Sequence, residues 1–343
     1  MLESADGVGA SWRGHYDRLR LHTTRGLSGL PGRPIPKRMG QWVARDDFVS
    51  YLEDCADSLD VRMRLGVRVQ RIDRAGDGWR LTTNQGPVEA DRVVVATGYN
   101  HTPWLPDWPG KDGFTAELTH SSAYRNPSPY RGRQVLVVGS GNSGAEIAAD
   151  LAEGGAAKVW ISIRTPPNIV RRDNPGGIAP QHLGIVMRPL PAAIVDPLSL
   201  FVQRLFVGDL TRYGIPSPTK GVATRVKEEQ IPLIDVGFLD QLKAGRITVV
   251  PGLDSFEGPE VICGGQRLKP DAVIAATGYS HGLEALVGHL GVLDAGGRPS
   301  RYAPDSQPNA PGLFFIGYSN PISGNLREIA RDARRLGRVF AKP

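Results

Sequence analysis

The chain has 343 residues, a formal net charge of +6 and two cysteines. This length exceeds one typical hydrophobic core and predicts two domains. The modest positive charge is spread without a dense basic block, which favours small anionic cofactors over nucleic acid as partners. Cys55 and Cys263 lie far apart and form no CxxC pair, which argues against a disulfide framework and a dithiol redox centre.

No signal peptide is recognisable in the sequence, and its most apolar region, 183–207, is interrupted by prolines and charged residues. We therefore expect a cytoplasmic protein without integral membrane segments. Residues 1–3 have the pattern of a strand end, and 46–59 alternate apolar and acidic residues with the period of an amphipathic helix. Three strands joined by glycine turns are predicted within 67–91.

Two segments of the sequence repeat each other. Residues 91–99 read DRVVVATGY, and residues 271–279 read DAVIAATGY. In each copy a buried strand ends in a small-residue turn with a glycine, where the backbone can approach a cofactor or a neighbouring domain. Either copy alone fits an ordinary core strand, but the duplication predicts two nucleotide-binding domains.

A glycine-rich turn lies between the two copies. It follows the predicted strand 134–138, precedes a predicted helix at 145–151, and consists of Gly139, Ser140, Gly141, Asn142, Ser143 and Gly144. In the dinucleotide fold the first glycine permits a tight turn, the second admits a pyrophosphate, and the third lets the helix pack closely on the strand. The pyrophosphate then lies at the helix N-terminus, where free N–H groups and the helix dipole favour an anion.

The end of the next predicted strand, 158–163, indicates which dinucleotide is bound. An NAD site carries an acidic residue there, whereas this chain has Arg164, with Arg171 and Arg172 following. A guanidinium group suits the 2′-phosphate of NADPH, because it can donate two parallel hydrogen bonds. The alternative is that Arg164 is a solvated loop residue.

The following insert, 168–227, is rich in proline, glycine and large apolar residues. It is either a lid or wall of the substrate site, or a segment that only extends over the surface.

Further motifs extend over most of the chain. They are GASWRGHYDRLRLHT at 9–23, IPLIDVGFLDQLK at 231–243, PGLFFIGY at 311–318, and an FxGxxxHxxxY pattern with Phe114, His120 and Tyr124, in which Ala116 replaces the glycine. Together with the glycine turn and the ATGY repeats, they resemble class B flavin-dependent monooxygenases of the flavin-containing monooxygenase type, including YUCCA-like enzymes. Because the pattern ends in Tyr124 rather than tryptophan, it resembles the heteroatom-oxygenating branch more than the Baeyer–Villiger enzymes. His120 is interpreted as a structural residue near the NADPH domain.

The resemblance implies an enzyme that binds FAD and NADPH and acts on O2 and a small-molecule substrate. NADPH would reduce FAD, and a flavin hydroperoxide would oxygenate a nitrogen or sulfur atom or a keto acid, while the protein supplies geometry and excludes water. His22 aligns with a position near the flavin that is asparagine in animal members and histidine in the YUCCA-like branch. It is therefore the candidate catalytic residue, with the alternative that it only ends a strand.

The resemblance also assigns residues to FAD. They are Glu3 for the ribose, Trp12 and Arg13 near the flavin, the turn of Ala96, Thr97 and Gly98, and Gly317 on the returning segment. Family members begin with an FAD-binding glycine turn ahead of this acid, so roughly thirty residues of the dinucleotide fold are expected upstream of Glu3. We therefore expect this chain to bind FAD poorly unless that segment is restored.

The predicted fold is α/β, with two dinucleotide-binding, Rossmann-like domains. An NADPH-binding domain, 128–280, is inserted into a split and N-terminally truncated FAD-binding domain formed by 1–127 and 281–343. The alternative function is a non-catalytic NADPH-binding protein that is unable to hold FAD. The sequence does not predict the oligomeric state.

Overall fold

A computed structural model describes residues 1–173, 179–228, 230–319, 321 and 323–341. The chain forms two compact units. Unit 1 consists of 1–14, 19–102 and 279–343, and unit 2 consists of 15–18 and 103–278. Unit 2 is thus inserted into the sequence of unit 1. The mixed α/β architecture with a parallel sheet confirms the predicted fold class.

The α-helices of the described residues are amphipathic or partly buried, and most are short. They are α1 (Ala10–Arg13), α2 (Arg25–Ser28), α3 (Arg45–Asp57), α4 (Asn142–Glu153), α5 (Pro180–Met187), α6 (Ala192–Phe206), α7 (Val222–Lys227), α8 (Phe238–Lys243), α9 (Glu284–Val287) and α10 (Asn325–Phe340).

The strands are similarly short. They are β1 (Val69–Ala75), β2 (Gly78–Thr83), β3 (Val88–Ala90), β4 (Val93–Val95), β5 (Thr102–Pro103), β6 (Glu117–His120), β7 (Gln134–Val138), β8 (Lys158–Ile163), β9 (Ile169–Arg171), β10 (Leu233–Asp235), β11 (Ile247–Pro251), β12 (Leu253–Glu257), β13 (Glu260–Cys263), β14 (Gln266–Leu268), β15 (Ala272–Ala275), β16 (Tyr279–Ser280) and β17 (Leu313–Phe315).

Unit 2 is organised around a five-stranded parallel sheet in the order β11-β8-β7-β15-β6. The central strands are apolar at almost every position and are buried, as expected for parallel strands covered on both faces. The predicted strands 134–138 and 158–163 coincide with β7 and β8. The helix predicted after the glycine turn is α4, which packs on β7 and β8.

One strand of this sheet, β6, was not predicted. It pairs with β15 in parallel, with Glu117 opposite Ala272 and His120 opposite Ala275. This pairing explains why the structure assigns 103–127 to unit 2, whereas the sequence-based division began the NADPH domain at 128. Three of the four residues of β6, Glu117, Thr119 and His120, are polar, and this edge strand is less buried than the central strands.

Unit 1 contains an antiparallel sheet, β1-β2-β3, and a parallel pair, β4 and β17. Both contribute to one hydrophobic cluster that includes Trp79, Val95 and Phe315, against which Leu2 also packs. A second cluster surrounds α3, the helix predicted at 46–59, and includes Phe48. These two clusters fix the strand ends and the N-terminal segment to which the sequence assigns FAD.

The insert 168–227 contains β9, which pairs in parallel with β10, and the helices α5 to α7. Residues 174–178 of this insert lie outside the described residues. Its interpretation as a lid or substrate wall stays a prediction. In the described part of the chain, no helix combines the length and apolar character needed to cross a bilayer.

Candidate cofactor sites

Two glycines of the turn after β7 are required by the packing of the chain itself. Gly139 has φ 117°, and a Cβ placed there would lie 2.4 Å from the backbone oxygen of Ala276. A Cβ on Gly144 would lie 2.0 Å from the backbone oxygen of Gly139. Neither position can therefore carry a side chain without moving the backbone between β7 and α4.

Gly141 differs from its neighbours, because a Cβ placed there would meet no protein atom within 4 Å. Its φ of −76° is also accessible to any residue. No other part of the protein therefore requires glycine at this position, which is the N-cap of the twelve-residue helix α4. An anion bound to the free N–H groups of that helix would occupy the space that a side chain needs. The turn therefore fits a dinucleotide pyrophosphate.

Ser140 and Asn142 connect this turn to neighbouring segments. The Ser140 hydroxyl donates to the backbone oxygen of Thr165 at 3.4 Å, immediately after β8. The side-chain oxygen of Asn142 accepts a hydrogen bond from the N–H of Ile234, on β10, at 2.6 Å. The turn therefore lies beside the segment that follows β8. In a dinucleotide-binding fold, residues of this segment contact the ribose of the cofactor.

The three arginines near this edge differ in their surroundings. Arg172 is buried and pairs with Asp173 at 3.4 Å. Arg171 lies opposite Asp235 in the β9–β10 register. Burial raises the pKa of the Asp235 carboxyl group, while the charge of Arg171 partly opposes that rise. Arg164, next to Thr165, is exposed, and within the described ranges it has no ion-pair partner.

The fingerprint residue His120 joins the end of β6 to the second ATGY turn. Its Nε2 lies 3.0 Å from the backbone oxygen of Gly278, and its Nδ1 accepts the N–H of Ser122 at 3.1 Å. These contacts assign the proton of a neutral ring to Nε2, since a carbonyl oxygen can only accept. Burial lowers the pKa of His120, partly opposed by the Gly278 hydrogen bond, so the neutral form is favoured.

Tyr124, the last residue of the fingerprint, belongs to a buried polar network of unit 2. Its hydroxyl donates to Asp150 on α4 at 2.7 Å, and Arg18 also contacts Asp150 at 3.3 Å. Burial raises the pKa of Tyr124, and burial followed by the charge of Glu146 raises that of Tyr16. The network fixes 15–18 to α4, a role that the sequence motif alone did not reveal.

In unit 1, the turns assigned to FAD lie side by side at the carboxyl ends of β4 and β17. The N–H of Ile316 donates to the backbone oxygen of Val95 at 3.1 Å, and the hydroxyls of Thr97 and Tyr318 are 2.7 Å apart. The following Gly98 and Gly317 have φ of 92° and 86°, so both turns use a conformation that favours glycine.

This edge brings together the assigned residues Ala96, Thr97, Gly98 and Gly317. Ligands of α/β folds bind outside the carboxyl ends of parallel strands, and the two turns fit that position. Tyr318 was not predicted as part of the site. The repeated ATGY pattern identifies Thr97, but only the pairing of β4 with β17 places a tyrosine hydroxyl against it.

The other three residues assigned to FAD have protein contacts of their own. The Glu3 carboxylate accepts the N–H of Ala5 at 2.9 Å. The Trp12 ring meets Phe48 edge-on, with centroids 4.7 Å apart. Arg13 pairs with Glu53 at 2.7 Å. These contacts hold the three side chains on the N-terminal segment and α1, and their assignment to FAD stays a prediction.

His22, the candidate catalytic residue, lies in the loop before α2 and is half-buried. The preceding residue, Leu21, is buried and donates its N–H to the backbone oxygen of Val43 at 2.8 Å. On the other side, the hydroxyls of Thr23 and Ser28 are 2.7 Å apart. The backbone around His22 is thus held from both sides, whereas its predicted relation to the flavin stays a prediction.

Comparison with known proteins finds relatives that match most of the chain. The family model for pyridine nucleotide-disulphide oxidoreductase matches residues 33–182. Indole-3-pyruvate monooxygenase YUCCA1 of Oryza sativa subsp. japonica is 32% identical over 347 residues, which cover 97% of this chain and 84% of the relative. Probable indole-3-pyruvate monooxygenase YUCCA3 of Arabidopsis thaliana is 30% identical over 334 residues, covering 93% of this chain and 76% of the relative.

The fold is also that of a solved structure. The flavin-containing monooxygenase from Stenotrophomonas maltophilia superposes with a TM-score of 0.71 at 22% identity, covering 99% of this chain and 91% of that structure. The extent and identity of the match to the plant relatives show the family and confirm the sequence-based assignment, including its cofactors FAD and NADPH. The chain belongs to the class B flavin-dependent monooxygenases that include the YUCCA proteins, and it is an NADPH- and FAD-dependent oxidoreductase.

Proposed function

We propose that this monooxygenase acts on a 2-oxo acid with an apolar side chain. The observation that supports the proposal is the similarity to proteins named indole-3-pyruvate monooxygenases, at 30–32% identity over 93–97% of the chain. In such a reaction one atom of O2 would bond to the carbonyl carbon, the bond from that carbon to the carboxylate would break with release of CO2, and the other oxygen atom would leave as water, with NADPH supplying two electrons and a proton coming from solvent. NADPH and FAD supply the redox chemistry, and the residues of the protein bind, orient and exclude water.

The proposal assigns the two cofactors to different units. In unit 2, the turn 139–144 would hold the pyrophosphate of NADPH, and Arg164 would bind its 2′-phosphate. The support is the open space at Gly141 and the hydrogen bond from Ser140 to the backbone of Thr165, the residue that follows Arg164. We propose 128–280 as the core of the NADPH domain, extended by β6.

The predicted FAD-binding domain, 1–127 and 281–343, would supply the FAD contacts, and the residues assigned to FAD lie in its unit 1 part, 1–14, 19–102 and 281–343. The turns of Ala96, Thr97, Gly98 and Gly317 would face the cofactor, with Glu3, Trp12 and Arg13 on the N-terminal segment. His22 would act toward the flavin or substrate as a hydrogen-bonding residue. The support for this half is the pairing of β4 with β17, which aligns the two glycine turns at one sheet edge.

Small molecules and O2 are the proposed partners, in preference to nucleic acid. We further propose a cytoplasmic location, in keeping with the two free, buried cysteines. Fractionation of the native host with an antibody to the chain tests the location, and recovery in an extracytoplasmic fraction would contradict it.

Substrate-dependent oxidation of NADPH by the purified protein, supplied with FAD, tests the substrate class. Indole-3-pyruvate and phenylpyruvate should accelerate NADPH oxidation and be converted to oxygenated products. The matched hydroxy acids, indole-3-lactate and phenyllactate, should not be converted, because they lack the carbonyl group. Oxygenation of N,N-dimethylaniline with no turnover of either oxo acid would overturn the proposal and favour a heteroatom substrate.

A further inference from the structure

One tryptophan of unit 2, Trp104, exposes a large part of its side chain to solvent. The exposed fraction is 51%, and the indole ring has no hydrogen-bond or ring partner among the residues that the structure describes. A single exposed apolar side chain is common on protein surfaces. What Trp104 can bind therefore depends on where the backbone holds it.

The backbone of Trp104 is fixed to the turn that follows the central strand β15. Its N–H donates to the backbone oxygen of Gly278 at 3.0 Å, and its backbone oxygen accepts the hydroxyl of Thr277. The same oxygen of Gly278 lies 3.0 Å from Nε2 of His120, at the end of β6. These contacts hold Trp104 at the carboxyl edge of the parallel sheet.

The turn after β15 also contacts the glycine turn after β7. The N–H of Ala276 donates to the backbone oxygen of Val138 at 2.8 Å, and the backbone oxygen of Ala276 lies 2.4 Å from where a Cβ of Gly139 would be. Ala276 and Gly278 are two residues apart, so at most about 7 Å of extended chain separates them. Trp104 is therefore near the place proposed for the pyrophosphate of NADPH.

The order of the strands indicates which half of the cofactor extends toward Trp104. In the sheet β11-β8-β7-β15-β6, the strands β8 and β15 flank β7 on opposite sides. A dinucleotide-binding fold consists of two mononucleotide-binding halves, and the cofactor lies across the point where the strand order reverses. Arg164, after β8, is proposed to bind the 2′-phosphate of the adenosine half. The nicotinamide half then extends over the end of β15, toward Trp104.

We propose that the indole ring of Trp104 stacks on the nicotinamide ring of the cofactor. This inference rests on the proposed function, in which the turn 139–144 holds the pyrophosphate and Arg164 binds the 2′-phosphate. The oxidised nicotinamide ring carries a positive charge, and tryptophan is the aromatic side chain that binds a cation most strongly over its face. Trp104 therefore favours NADP+ over NADPH.

Calorimetric titration of the full chain, supplied with FAD, tests this contact. Trp104→Ala should weaken binding of NADP+ at least about fivefold, as loss of one stacked ring does. Binding of 2′,5′-ADP should be unchanged, because this ligand keeps the adenosine and its 2′-phosphate but lacks the nicotinamide and its ribose. Trp104→Phe keeps an aromatic ring and should retain most of the affinity for NADP+.

Leu105→Ala is the matched control. Leu105 is the next residue in the chain and is also exposed, at 39%, so its substitution should leave both affinities unchanged. The charge of the ring provides a second measurement. Trp104→Ala should lose more affinity for NADP+ than for NADPH, because the reduced ring is uncharged. Circular dichroism checks that each variant is folded.

Unchanged affinity for NADP+ in folded Trp104→Ala, or an equal loss of affinity for 2′,5′-ADP, would overturn the proposal. Arg164→Ala separates this failure from failure of the proposed cofactor site, and it should weaken NADP+ and 2′,5′-ADP by the same factor, since both carry the 2′-phosphate. If Arg164→Ala weakens both ligands while Trp104→Ala weakens neither, the cofactor site stands and the stacking is wrong. If Arg164→Ala changes neither affinity, the cofactor site is wrong and the stacking proposal fails with it.

Discussion

At the scale of single residues, the glycines of the turn after β7 differ in whether the packing of the chain requires them. Gly139 and Gly144 have backbone oxygens within 2.4 Å of where a Cβ would be, so the fold itself requires them. At Gly141 a Cβ would have no protein atom within 4 Å. We infer that Gly141 is kept free of a side chain for the cofactor, which gives a prediction that separates binding from folding.

Gly141→Ala should leave the free energy of unfolding within about 0.5 kcal/mol of wild type, as surface substitutions usually do. Its affinity for NADPH should fall at least about tenfold, or 1.4 kcal/mol, because the methyl group enters the space proposed for the pyrophosphate. Gly144→Ala should instead lower the free energy of unfolding by about 1–3 kcal/mol through overpacking. Urea unfolding and titration with NADPH measure the two quantities. Unchanged NADPH affinity in the folded Gly141 variant would show that the turn does not hold the pyrophosphate.

Arg164 provides a test of cofactor choice. Arg164→Ala should weaken NADPH binding by about 1.5–3 kcal/mol, the cost of a lost charged hydrogen bond, and should leave NADH binding nearly unchanged. Arg246→Ala is the matched control, because Arg246 is an exposed arginine just before β11, at the amino rather than the carboxyl edge of the same sheet. Equal losses for NADPH and NADH in the Arg164 variant would show that this residue does not read the 2′-phosphate.

At the scale of elements, a side chain connects the end of one strand to the turn after its neighbour, and the ionisation of that side chain affects the stability of the fold. His120 at the end of β6 holds the turn after β15 through Gly278, and burial lowers its pKa below its ordinary value. A histidine in the unfolded chain has a pKa of about 6.5. Below that pH the unfolded chain binds a proton at His120, whereas the folded chain binds it only at a lower pH. The stability that His120 contributes is therefore fully present above about pH 6.5 and is lost as the pH falls through the lowered folded pKa.

His120→Gln removes this titration while keeping an N–H group that can donate to Gly278. The free energy of unfolding of wild type should fall between about pH 7.5 and pH 5.5 more steeply than that of the variant. All other groups are the same in the two proteins, so their contributions cancel in the comparison. Parallel pH profiles would mean that His120 has no lowered pKa in the folded protein.

At the scale of the whole molecule, the sequence predicted what depends on local pattern. The central strands β7 and β8, helix α4 and the duplicated strand-and-turn segments follow from local runs of apolar residues, and the run of β7 and both duplicated runs are followed by turns with glycine. Family membership was predictable for the same reason, because the motifs that carry it are short and contiguous. Their positions in the structure agree with the predicted class of fold.

What the sequence did not predict depends on pairing between distant segments. β6 joins the sheet of unit 2 through β15, over 150 residues further along the chain, and its mostly polar pattern did not predict this pairing. The contact of Tyr318 with Thr97 requires the pairing of β17 with β4. The exposure of one side of α6 was also not predicted, since an apolar helix pattern alone does not distinguish a buried side from an exposed one.

The central claim is that this chain transfers one oxygen atom of O2 to a 2-oxo acid at the expense of NADPH. The most direct measurement is turnover of indole-3-pyruvate with NADPH and FAD under 18O2, with mass spectrometry of the product and a parallel count of NADPH and O2 consumed. We predict a product that carries one 18O atom, with one NADPH and one O2 used for each product molecule. An unlabelled product, or NADPH oxidation that yields only hydrogen peroxide whether or not the oxo acid is present, would contradict the account.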